Sequence, residues 1–109
     1  MTSGRPPSGG AADNSALARA VARHAWENHD GDFRVLHPPI ETEAELADFI
    51  TYILDRRRPM AAPRGRTIYL DEQTGTVVVV NPRDSVNRGT AFRPLNPDDY
   101  VARVVGDIQ

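Results

Sequence analysis

The chain has 109 residues, 39% of them apolar, 26% charged and 6% aromatic, which is the size and make-up of one small domain able to fold around its own core. With no cysteine, no run of about 18 apolar residues and no basic-then-apolar N-terminus, it excludes disulfide, thiolate-metal and cysteine-nucleophile chemistry, and neither a membrane span nor a secretory leader is expected. The net charge of −2 is uneven, because residues 1–55 carry four arginines and nine acids whereas residues 56–109 carry nine arginines and six acids.

Residues 1–13 are rich in Gly, Pro, Ser and Ala, with almost nothing to anchor a core, and read as a flexible tail or linker. The folded domain is expected to span residues 14–109. Asn14 or Ser15 can cap a helix running to about Asn28, with Leu17, Ala20, Val21, His24 and Asn28 on one side and Gly31 placed to end it. A second helix is marked by Thr42-Glu43-Ala44-Glu45, a capping box in which threonine and Glu45 satisfy each other's backbone donors. Its apolar stripe is Leu46, Phe49, Ile50, Ile53 and Leu54; Arg56-Arg57-Arg58 suits the negative helix end, and Pro59 stops it.

From Arg66 the pattern turns extended. Residues 67–71 and 76–81 flank a four-residue turn in which Gly75 supplies a positive φ, so they predict a hairpin, and four successive valines predict a central strand. A polar loop, residues 82–89, leads to a third strand at residues 90–93. Asn96-Pro97-Asp98-Asp99 has the form of a helix cap and first turn, so residues 100–106 fit a short helix, or an edge strand through Tyr100-Val101 and Val104-Val105. Together these predict an α+β domain with two N-terminal helices packed on one face of a small antiparallel sheet of three to four strands.

Two groups of residues suit chemistry. His24 and His29 are five apart, about 140° around an ideal helix, and so make a poor metal pair. His24 lies among apolar residues and reads as a partly buried core histidine. His29 falls in the last helical turn beside Asp30-Gly31-Asp32, a setting that suits proton transfer as well as ordinary helix capping. His37, before two prolines, reads as a loop residue.

Arg66, Tyr69, Asn81, Arg88, Thr90 and Arg93 fall on or beside three successive strands, where side chains two apart share a face. Such a face carries the fixed positive charge and hydrogen-bond donors that bind a phosphodiester and stabilise charge building on phosphorus; it also fits a solvated outer sheet surface. All 13 positive residues are arginine, which suits bidentate phosphate recognition and equally follows from a GC-rich coding sequence. There is no phosphate loop with a lysine, no HExxH and no GxSxG. Arg56-Arg57-Arg58 fits a basic helix end or a contact with RNA or an acidic partner.

Four strings in order carry a resemblance: His29-Asp30-Gly31-Asp32-Phe33, Gly65-Arg66-Thr67-Ile68-Tyr69, Gly75-Thr76-Val77-Val78-Val79-Val80-Asn81-Pro82, and Gly89-Thr90-Ala91-Phe92-Arg93-Pro94. The chain resembles the C-terminal toxin domains of bacterial polymorphic and contact-dependent inhibition systems, small ribonucleases of the barnase, EndoU, colicin and RelE-like fold group. The resemblance implies an endoribonuclease that uses no cofactor or metal and cleaves RNA, tRNA among the candidates, by attack of the ribose 2′-hydroxyl on the adjacent phosphorus.

By the same resemblance His29 transfers the proton, Arg66 neutralises the phosphate, Thr90 holds a phosphate oxygen, and Tyr69 and Arg93 support them; from the cationic sheet cluster, Arg88, Arg93 and Asn81 are the expected substrate contacts. It further implies a monomer that does not engage membranes, is exported within a larger effector, acts in the target-cell cytoplasm in competition between bacteria, and is held in check by a cognate immunity protein. A stand-alone chain would be cytoplasmic. The competing reading is a binding module of immunity or adaptor type, without enzymatic activity, that uses its acidic helical face.

Overall fold

The computed structural model describes residues 9–81 and 88–106. In chain order the elements are α1 (Gly9–Arg34), α2 (Glu43–Arg56), β1 (Met60–Ala62), a 3-10 turn (Pro63–Gly65), β2 (Arg66–Asp71), β3 (Thr76–Val80), β4 (Gly89–Phe92) and α3 (Pro97–Gly106). The four strands form one antiparallel sheet in the order β1-β2-β3-β4. The architecture is the predicted α+β arrangement of two N-terminal helices, an antiparallel sheet and a short C-terminal helix. No described helix is long and apolar enough to cross a membrane.

α2 forms where the capping box places it. Thr42 accepts from the Glu45 backbone N–H at 3.1 Å, and the Glu45 carboxylate accepts from the Glu41 N–H at 2.8 Å, one residue before the predicted reciprocal partner. Its buried side, Leu46, Ala47, Ile50, Ile53 and Leu54, meets Ala18, Val21, Ala22 and Ala25 of α1. The core-facing stripe of α1 is thus alanine-rich, whereas Ala20 of the expected side is only half-buried and Asn28 is exposed.

α1 begins at Gly9, earlier than the expected Asn14, and runs through Gly31 to Arg34. The backbone leaves helical geometry at His29 (φ −137°, ψ 22°) and then resumes. Asn28 Nδ2 donates to the His24 carbonyl at 2.8 Å just before this break. Phe33, fully buried and edge-on to Phe49 at 6.5 Å, draws the continuation into the core, so tertiary packing outweighs the poor helix propensity of exposed Gly31.

β1 is a strand whose position the residue pattern did not mark, since Met60-Ala61-Ala62 contains no β-branched residue. Pairing with β2, Met60 opposite Ile68 and Ala62 opposite Arg66, holds it, and flanking Pro59 and Pro63 keep this edge short. Every residue of β3 is buried because both faces of the sheet are covered. Val78, Val80 and Ala91, with half-buried Tyr69, face α1 and α2; Ile68, Val77 and Val79, with half-buried Leu70 and Phe92, face α3. One face carries the two long helices, and α3 covers part of the other.

Candidate functional site

The α3-facing side of the sheet is built in rows fixed by register. Leu70, Val77 and Phe92 form one row, and Ile68, Val79 and Thr90 form the next. Apolar side chains of α3 pack over the first of these and over Ile68. Beyond them the row changes character: Arg66 starts β2, Asn81 follows β3, and the Asn81 N–H donates to the Arg88 carbonyl at 2.8 Å. The uncovered end of the face is therefore polar.

Here Arg66, Asn81 and Thr90 meet around a hollow of about 160 Å³ that is also lined by Val79, Gly89 and, from α1, His24. Arg66 Nε donates to the Pro63 carbonyl at 2.9 Å, which fixes the guanidinium plane, and its terminal N–H groups have no partner among the described residues. Gly89 (φ +141°) lets β4 lie close to β3: a Cβ there would stand 2.1 Å from the Val79 carbonyl oxygen. Thr90 Oγ1 is shielded from solvent and has no hydrogen-bond partner among the described residues. An unpaired buried hydroxyl costs stability unless something fills its valence.

The combined donor set is one imidazole, one guanidinium, one amide and one hydroxyl. It can neutralise an anion, hold its oxygens and move a proton. Comparison with protein-family models, curated sequences and solved structures gives no match. The candidate site thus stands on its own geometry.

Of the residues read from the sequence, Arg66, Asn81 and Thr90 come together, and His24 joins them in place of His29. The His29 ring lies 5.8 Å from that of Phe92, one row farther along β4 and outside the hollow. Tyr69 sits on the opposite face against α1 and α2, where burial raises its phenol pKa. Arg93 is engaged elsewhere: its Nη1 donates to the Asp32 carbonyl at 2.9 Å, its Nε to the Thr74 carbonyl at 2.7 Å, and its N–H to Asp32 Oδ2 at 3.0 Å. It clamps α1 to the end of β4. Arg88 is exposed beside the site but does not line the hollow.

His24 was masked by its apolar neighbours in sequence. What brings it to the site is the crossing of α1 along β4, a tertiary feature with no local signal. Two larger hollows lie elsewhere. One, of about 630 Å³, contains Arg56, Arg57 and Arg58, but Arg57 already donates to buried Asp71 at 2.8 Å, the contact that chiefly raises its pKa. The other, of about 460 Å³, lies between α1 and α2 with Arg19, Glu43 and Asp48 on its walls. Neither contains an imidazole, so neither offers proton transfer near neutrality.

Proposed function

We propose that the chain is an endoribonuclease that cleaves RNA by transesterification in the Arg66–Asn81–Thr90–His24 site. The observation that carries this reading is the convergence of Arg66, Asn81, Thr90 and His24 on one small hollow, with the guanidinium plane fixed by its bond to the Pro63 carbonyl. A phosphodiester supplies negative charge for Arg66, and a turn of the Thr90 side chain that brings its shielded hydroxyl to the hollow gives that O–H an acceptor. His24 takes the 2′-hydroxyl proton while the 2′-oxygen bonds to phosphorus. The bond from phosphorus to the 5′-oxygen then breaks, and that oxygen leaves with a proton from solvent, giving a 2′,3′-cyclic phosphate. Asn81 orients a phosphate oxygen or the ribose. The resemblance to secreted bacterial toxin domains supports the same chemistry and adds an acidic immunity protein that would cover the arginines.

The test is incubation of purified protein with total RNA in excess EDTA, beside His24→Ala, Arg66→Ala and His29→Ala proteins shown to be folded. Fragments ending in 2′,3′-cyclic phosphate are expected from the wild type, and His24→Ala and Arg66→Ala each lower the rate by about 100-fold or more. Intact RNA between pH 5 and 8, with or without added metal, would overturn the assignment and favour a binding role for the exposed acids of α2.

A further inference from the structure

α1 and β4 run in the same sense along their contact. His24 lines the hollow with Thr90, His29 meets Phe92, and Asp32 bonds Arg93, in that order along both elements. Thr90 and Phe92 stand about 7 Å apart on one face of the strand, and His24 and His29 about 7.5 Å apart along the helix axis. Each row of β4 thus presents one imidazole from α1, the first beside the anion site and the second a short step away, comparable with the reach from a phosphate across one ribose to its base.

The second imidazole has the setting of a stacking surface. His29 is half-buried, tilted 40° to Phe92, and Phe92 in turn stands edge-on to Tyr100 at 5.1 Å and 82°. Its ring nitrogens make no hydrogen bond among the described residues, so the aromatic contact is the interaction that fixes the ring. α1 leaves helical geometry at this residue alone. A ring backed by others and still partly open to solvent matches the π-face of a base, which needs no hydrogen-bond partner to bind.

We infer that His29, backed by Phe92 and Tyr100, is the platform on which a nucleobase stacks when its phosphate occupies the Arg66–Asn81–Thr90 site. This rests on the phosphate-binding reading of that site and assigns His29 to base contact, with proton transfer at His24.

The experiment is a titration of the wild type, His29→Ala, His29→Phe and Arg66→Ala proteins with inorganic phosphate and with nucleoside 3′- and 5′-monophosphates, followed by NMR. The wild type should bind one of the nucleotides about ten-fold more tightly than phosphate, with the His29 ring protons moving upfield. That ratio should collapse toward one in His29→Ala and return in His29→Phe, while Arg66→Ala weakens both ligands. Equal affinity for phosphate and nucleotides in the wild type, or an unchanged ratio in His29→Ala, overturns the stacking platform and leaves the phosphate site standing. Failure of the wild type to bind either ligand overturns both.

Discussion

Replacing Thr90 by valine isolates the feature on which the candidate site depends. The two side chains have nearly the same shape, and both suit a strand, so the change removes a hydroxyl and little else. In the folded protein that hydroxyl is shielded from solvent and lacks a partner among the described residues, whereas in the unfolded chain water satisfies it. Burying such a group without compensation costs roughly 1–2 kcal/mol. Thr90→Val should therefore stabilise the ligand-free protein by about 1 kcal/mol, which for a domain of this size raises Tm by about 4–8 °C. The same variant should lose phosphate binding and RNA cleavage, because the group that donates to a phosphate oxygen is gone. Thermal and urea unfolding followed by fluorescence of the single tryptophan, Trp26, measure the first effect. A variant less stable than the wild type would show that the hydroxyl is satisfied in the native state, and one with undiminished phosphate affinity would remove Thr90 from the site.

Three further outcomes follow from the packing. Asp71 is 1% exposed, accepts from Arg57 at 2.8 Å and from Thr74 at 2.6 Å, and ties the end of α2 to the β2–β3 turn. Asp71→Ala should cost about 2 kcal/mol or more in urea unfolding, while Asp30→Ala, whose partner Arg34 is half exposed, should change stability by less than about 0.5 kcal/mol. Gly89→Ala forces a Cβ against the Val79 carbonyl at a φ of +141° and should destabilise by about 3 kcal/mol or more; a soluble variant of normal Tm would refute this close approach of β4 to β3. Burial raises the Tyr69 phenol pKa, so its neutral form favours folding below the unfolded value of about 10 and that contribution is lost as pH rises through the higher folded value. Tyr69→Phe should therefore resist alkaline unfolding better than the wild type in melts at pH 9 to 11.

Much of the fold is written locally. Thr42 and Glu45 mark the start of α2 because a cap is made by residues three apart, and Gly75 marks the hairpin because only the turn needs its positive φ (+72°). The valine run marks the central strand because a strand covered on both faces shows no alternation. What stayed hidden depends on distant neighbours. β1 exists through its pairing with β2, and α1 passes Gly31 because Phe33 and Asp32 find partners beyond it. Site residues divide in the same way. Arg66, Asn81 and Thr90 could be grouped from strand order, whereas His24, Tyr69 and Arg93 could be placed only once the crossing of α1, the face of β2 and the Asp32 contact were known.

The uneven charge also acquires a physical meaning. Glu43, Glu45, Asp48 and Asp55 are exposed on α2, which packs on the sheet face opposite the candidate site. The sheet lies between them and the hollow, and exposed charges separated through solvent by more than the roughly 8 Å screening length at physiological ionic strength interact little. At that salt an anion at Thr90 responds to Arg66, with exposed Arg88 nearby, and hardly to the acids behind the sheet. The slight net negative charge is thus compatible with phosphate binding at one face, with the exposed acids of α2 gathered on the other.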